Sequence, residues 1–180
     1  PYVIIIDPNA PGKPGAGTGG IDDVLDNVGP IQGSIEDGGL TDDDTPTLVG
    51  SGGQPGNTVI IIIDGTPVGS AIVDPDGKWE FTPNPALAEG THEFVVVVKD
   101  PQGNESEPSD PHTIIIDLTA PGKPGAGTGG IEDVLDNVGP IQGSIEDGDT
   151  TDDNTPTLVG SGAEPGDTVT IIDNGVEIGT

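Results

Sequence analysis

The stretch TVIIIIDGTPVGSAIVDPDGKWEFTP, residues 58–83, decides the fold. It opens on a β-branched run and breaks at Asp64-Gly65. It runs again to Val73, breaks at Pro75-Asp76-Gly77, and ends on the alternation Trp79-Glu80-Phe81. β-Branched runs bounded by residues that tolerate positive φ read as strands joined by tight turns. Nowhere does the chain show an apolar period of 3.6, and Gly or Pro interrupts every candidate helix. The same grammar extends outward in both directions. It predicts strands at 13–19, 46–52, 57–63, 67–73, 78–82, 91–99 and 111–117.

Seven short strands with turn signals between them suit an all-β, immunoglobulin-like sandwich. Residues 11–21 (PGKPGAGTGGI) return verbatim at 121–131, VLDNVGPIQGSIEDG at 24–38 returns at 134–148, and TPTLVGSG at 45–52 returns at 155–162. The offset is 110 residues throughout, without insertion or deletion. A fixed long period is the signature of tandem modules. Residues 8–117 read as one complete module, 1–7 as the last strand of a preceding one, and 118–180 as the truncated first half of the next. The chain thus reads as a window onto a longer array.

The two copies set the facing of the strands. Ile60 becomes Thr170 and Ile63 becomes Asp173, while Val59 and Ile61 recur as Val169 and Ile171. By the period of two, Val59 and Ile61 point inward and Ile60 outward. Phe94, Val96 and Val98 are expected inside, and Trp79 and Phe81 share a core-facing side of their strand. That leaves Ile60, Ile62, Val95 and Val97 as outward aliphatics. They reflect either β-propensity under partial cover or a sticky lateral face.

Composition excludes several function classes. The formal net charge is −28, from 32 acidic residues against 4 cationic ones. Nucleic acid and direct membrane binding are disfavoured, because both need cationic side chains. There is no cysteine, so neither disulfides nor thiolate metal sites are available. One Trp, one Tyr and two Phe give no aromatic platform for a sugar. No nucleophile–His–carboxylate set can be assembled from the repeat, and GAGTGG at 15–20 lacks the Lys-Ser/Thr and helix of a phosphate loop. The expectation is a protein that is not an enzyme.

The carboxylates cluster. Asp22, Asp23 and Asp26 recur as Glu132, Asp133 and Asp136, and Asp42, Asp43 and Asp44 recur as Asp152, Asp153 and Asn154. Asp7 and Asp117 each close a final strand, and Asp100 stands with Asn104 in the turn KDPQGN. Strand order would bring several of these to each module junction. Oxygen-rich loops between rigid strands suit Ca²⁺, which takes six to eight oxygen ligands. The metal candidates are Asp7, Asp22, Asp23, Asp42, Asp43, Asp100, Asn104, Asp117, Asp133, Asp152 and Asp153. The alternative is that these aspartates are solvated loop residues that set turn geometry.

DDVLDNVGPIQGSIEDGGLTDDDTPTLVGSG (22–52), the 55–83 stretch and LAEGTHEFVVVVKDPQGNES (87–106) resemble the bacterial Ig-like repeats of giant surface adhesins and biofilm-associated proteins, commonly exported by type I secretion. The resemblance covers essentially the whole repeat. It implies head-to-tail sandwiches at the bacterial cell surface or in the biofilm matrix, often with Ca²⁺ at junctions. Carried over by position, it implies Asp22, Asp23, Asp42, Asp43, Asp100 and Asp117 as ligands. The chain departs from the group at 59–63, where members commonly have a Tyr and polar residues. The expected function is a structural spacer in a long adhesin or fibre whose partners are its neighbouring modules. The alternatives are a filament subunit that associates laterally and a carbohydrate- or protein-binding module.

Overall fold

The computed structural model describes residues 10–29, 32–140 and 142–180. Asp7 and the strand expected at 1–7 lie outside the described residues. The chain divides into two compact units, Pro1–Leu118 and Thr119–Thr180.

In the first unit the strands are β1 (Asp23–Asp26), β2 (Gly33–Ser34), β3 (Gly39–Thr41), β4 (Thr47–Gly50), β5 (Thr58–Ile63), β6 (Thr66–Ile72), β7 (Trp79–Phe81), β8 (Gly90–Lys99) and β9 (His112–Ile116). They form a four-stranded sheet, β2-β1-β4-β7, and a five-stranded sheet, β3-β9-β8-β5-β6. Pairing is antiparallel except between β3 and β9, which run parallel. The chain therefore changes sheets between β2 and β3. This is the all-β, immunoglobulin-like sandwich expected from the strand grammar.

The core lies between the sheets. Val24, Leu48 and Trp79 come from the smaller sheet, and Val59, Ile61, Ile63, Phe94, Val96, Val98, Ile114 and Ile116 from the larger. Burying each large aliphatic or aromatic side chain stabilises the fold by about 1.5–3 kcal/mol. The alternation predicted for β5 and β8 holds at every position. Phe81 is the partial exception: it is half-buried and packs against the core rather than within it.

Two expectations need correction. Residues 13–19 form no strand. Gly17 and Gly19 sit at φ +69° and +88°, and the amides of Thr18 and Gly20 both donate to the Gly15 carbonyl. The glycine-rich segment is a compact turn. It serves Trp79, whose indole Nε1 donates to the Gly19 carbonyl at 3.1 Å. A side chain at Gly50 would strike both the indole and the Gly20 carbonyl, so the strand opposite the indole needs a glycine. The second correction is that β1, β2 and β3 were not foreseen. They have two to four residues each and contain no β-branched or aromatic run to mark them.

The second unit contains β10 (Ile131–Asp136), β11 (Gly143–Ser144) and β12 (Thr157–Gly160) in the order β11-β10-β12, and a hairpin of β13 (Ile171–Asp173) and β14 (Val176–Gly179).

Candidate functional site

The candidate acidic residues of the first unit fall at its two ends. Asp22, Asp23 and Asp100 lie where β1 begins and β8 stops. Asp26, Asp42, Asp43 and Asp117 lie where β1, β3 and β9 stop.

Asp43 anchors the second end. It is 1% exposed, far below what an aspartate tolerates without partners. Its Oδ2 accepts from the Asn27 amide at 2.9 Å, and its Oδ1 accepts from the Thr45 amide at 2.8 Å and the Thr45 hydroxyl at 3.2 Å. Its own amide donates to Thr41 Oγ1 at 3.0 Å. That hydroxyl in turn donates to Asp26 Oδ2 at 2.6 Å, and Asp26 Oδ1 accepts from the Val28 amide at 2.9 Å. The Asp117 amide donates to the Thr41 carbonyl at 2.9 Å. The motif Thr41-x-Asp43-x-Thr45 is thus a clamp that ties the loop after β1 to the loop after β3. Asp42 points away from it, with its carboxylate over the Cα of Gly29, where a side chain would collide.

The second unit repeats the clamp. Asp153 accepts from the Asn137 amide at 2.9 Å, the Thr155 amide at 2.8 Å and the Thr155 hydroxyl at 3.3 Å. Thr151 Oγ1 donates to Asp136 at 2.7 Å, and Asp152 again lies against a glycine, Gly139. The Asn137 and Thr155 amides hold the Asp153 carboxyl below its ordinary pKa.

At the opposite end each carboxylate also organises its own loop. Asp22 accepts from the Gly17 amide and the Ser51 hydroxyl. Asp23 accepts from the Val24 amide and Ser34 Oγ, as Asp133 does from Val134 and Ser144. Glu132 replaces Asp22 and keeps the serine partner, now Ser161. Asp100 accepts from the Gln102 amide at 2.9 Å, the Asn104 amide at 2.8 Å and the Asn104 side chain at 2.8 Å. The Asn104 side chain first, then the amides of Asn104, Gln102 and Gly103, hold the Asp100 pKa below the carboxylate norm.

A further carboxylate was not singled out from the sequence. Asp64 adopts φ 50° in the β5–β6 turn, and its Oδ2 faces His92 Nδ1 at 2.7 Å, while its Oδ1 accepts from the Glu93 amide at 2.9 Å. Partial burial pushes its pKa up, but the Glu93 amide and the His92 ring outweigh that and hold it low. The only sequence signal was the turn dipeptide Asp64-Gly65.

The structure therefore brings Asp26 and Asp43 together through Thr41 and places Asp42 and Asp117 at the same end. It separates Asp22, Asp23, Asp100 and Asn104 from them. Among the described residues, no three His, Asp or Glu side chains gather round a point where an ion would sit. Asp22, Asp23, Asp26, Asp43 and Asp100, and Glu132, Asp133, Asp136 and Asp153 in the second unit, are fitted to amides and hydroxyls. Besides Asp64, the partners missed from sequence were Asn27, Ser34, Thr41, Thr45 and Ser51. Their pairing follows from loop proximity, which strand periodicity does not report.

This two-sheet fold with its clamped loops has a family. The bacterial Ig-like domain family matches residues 27–118, just over half of the chain. The chain belongs to the bacterial Ig-like domain family. Modules of this kind are generally non-catalytic. The Ig-like chain also resembles a solved structure described as Clostridium thermocellum CbhA fibronectin(III)-like modules, at 19% identity and TM-score 0.34, over 46% of this chain and 84% of that one. At that score the likeness adds nothing to the fold drawn from the sheets. No curated protein matches the chain.

Proposed function

We propose that this Ig-like chain is a run of structural spacer modules from a long extracellular adhesin or surface fibre, with no enzymatic role. In this reading it supports cell adhesion or biofilm formation, and calcium stiffens the junctions between modules. The observation that carries it is the 110-residue repetition, in which the Asp43 clamp recurs as the Asp153 clamp atom for atom. Repetition of clamped loops provides length and stiffness, whereas chemistry needs one differentiated site. The net charge of −28 supports a divalent counter-ion, because self-repulsion opposes compaction. Asp42 and Asp117 are the carboxylates that would face such an ion at the end of the module.

The test is thermal unfolding of the chain in EDTA and in millimolar Ca²⁺, with Mg²⁺ as control. A ligand that binds only the folded state at about 100 times its Kd adds about 2.7 kcal/mol. A Ca²⁺-selective rise in Tm, lost in Asp42→Ala or Asp117→Ala, is the expected result. Equal Tm in both buffers overturns the calcium reading and leaves the aspartates as loop anchors.

A second reading is supported by the register Ile60↔Val97 and Ile62↔Val95, which aligns the outward aliphatics across two strands. It makes the module a filament subunit that packs laterally. Concentration-dependent fibres of folded chain would favour it. A sugar-binding role has less support, because Trp79, the one tryptophan, is 4% exposed in the core.

A further inference from the structure

Strands β5 and β8 lie side by side inside the five-stranded sheet, and the sandwich uses one face of each. Val59, Ile61, Ile63, Phe94, Val96 and Val98 are core. Ile60, Ile62, Val95 and Val97 point the other way. Of these, Ile60 is Thr170 in the second repeat, while Ile62 recurs as Ile172. Residues 58–63 and 94–98 contain no charge, no Gly and no Pro, and charged residues stand at their borders: Asp64, Glu93 and Lys99. Runs of this kind pair readily with copies of themselves. Identical aliphatic side chains interdigitate, and each backbone is hydrogen-bonded by the next strand.

The folded unit blocks that pairing. β5 is held between β6 and β8, and β8 between β5 and β9, so both edges of each strand are occupied. The sheet's own edges are poor templates. β3 has three residues, and β6 carries Pro67 beside a register shift at Ile61/Ile62.

We propose that β5 and β8 form a cryptic self-association element, silent in the folded unit, which pairs with the same strands of a second copy once the unit opens. Its consequence is that opening of the unit turns into bonding between copies. The element is independent of calcium and of the spacer reading.

The experiment follows the full chain through a urea series at several protein concentrations, with thioflavin T fluorescence, fibre diffraction and hydrogen exchange. The folded chain stays silent. Near the unfolding midpoint it assembles with a concentration-dependent lag and a cross-β spacing of about 4.7 Å. Exchange protection in the assembly maps to 58–63 and 94–98. The variant Ile60→Thr/Ile62→Thr/Val95→Thr/Val97→Thr assembles at least about tenfold more slowly. Ile60→Thr alone, which installs the second repeat's own residue, slows assembly about two- to threefold and guards against a folding defect in the fourfold variant. No assembly at the midpoint, protection centred elsewhere, or unchanged rates in both variants overturns the proposal. Assembly of the folded chain overturns it too, in favour of a native lateral face.

Discussion

Leu48 and Leu158 stand in the same string, TPTLVGSG, yet the first is fully buried and the second is 38% exposed. Val59 and its counterpart Val169 differ in the same way, at 0% and 39%. Strand β5 starts at Thr58, whereas the equivalent strand in the second unit starts only at Ile171. Near-identical sequence therefore folds to different extents. What differs is company. In the first unit β5 is flanked by β8, and Trp79, Phe94 and Ile114 close the core. Among the described residues of the second unit, no strand corresponds to β7, β8 or β9. Features made by near neighbours survive the loss: the aspartate clamp, the glycine turn and the β1–β4 type of pairing. Features that depend on distant strands do not.

That contrast breaks most sharply at Phe94. Phe94→Ala removes the largest fully buried side chain among the described residues and is expected to cost the first unit about 3–5 kcal/mol. Urea denaturation followed by Trp79 fluorescence reports that unit alone, because the chain has one tryptophan. An unchanged midpoint would mean that the core is not what separates the two copies.

Next in size is Asp43→Ala, which leaves the Asn27 and Thr45 amides without the buried Asp43 acceptor and is expected to cost about 1–3 kcal/mol. Asp153→Ala is its partner experiment. It should release amide protection at Asn137 and Thr155 while leaving the Trp79 transition where it was. Movement of that transition would show that the clamps are not local devices.

Gly50→Ala places a methyl group against the indole and is expected to cost about 1–3 kcal/mol. Gly160→Ala meets the Gly130 carbonyl but no indole, so its effect on stability should be smaller. Equal effects in paired denaturation curves would assign the strain to the glycine turn rather than to Trp79.

Acid produces a weaker effect. Asp64, Asp100 and Asp153 all titrate below the ordinary carboxylate value of 3.8 when folded. The unfolded chain then takes up the proton first. Their stabilisation is complete above about pH 4–5 and is lost as pH falls through the lowered folded values. Carboxyl NMR titration should give midpoints for these three below those of the unfolded chain. Midpoints at or above the unfolded value would contradict the hydrogen-bond geometry. Smallest of all is Lys13→Ala, which removes the exposed 2.6 Å pair with Asp110 and is expected to change stability by under about 0.5 kcal/mol.

Strand facing was legible at the middle of β5, where one side varies and the other is kept, although Ile63, buried in the first unit, is Asp173 in the second. Ile60 could become Thr170, but Val59 remained Val169. The long strands were legible because β-branched runs and turn dipeptides report local preference. The clamp was half legible. Asp43 was singled out, but its partners were not, since Asn27 is sixteen residues away in sequence and joins it through loop packing.

The string of residues by itself determined the all-β class, the repeat, the turn positions and the inward faces of β5 and β8. All of these follow from preferences expressed within a few residues. Tertiary structure decided the parallel pair of β3 and β9. Gly39, Leu40 and Thr41 are too few to carry a periodic signal, and they become strand only where Ile114–Ile116 lies alongside. The counterpart Asp149-Thr150-Thr151, with no such neighbour, forms no strand. A strand this short takes its hydrogen bonds, and so its conformation, from its partner.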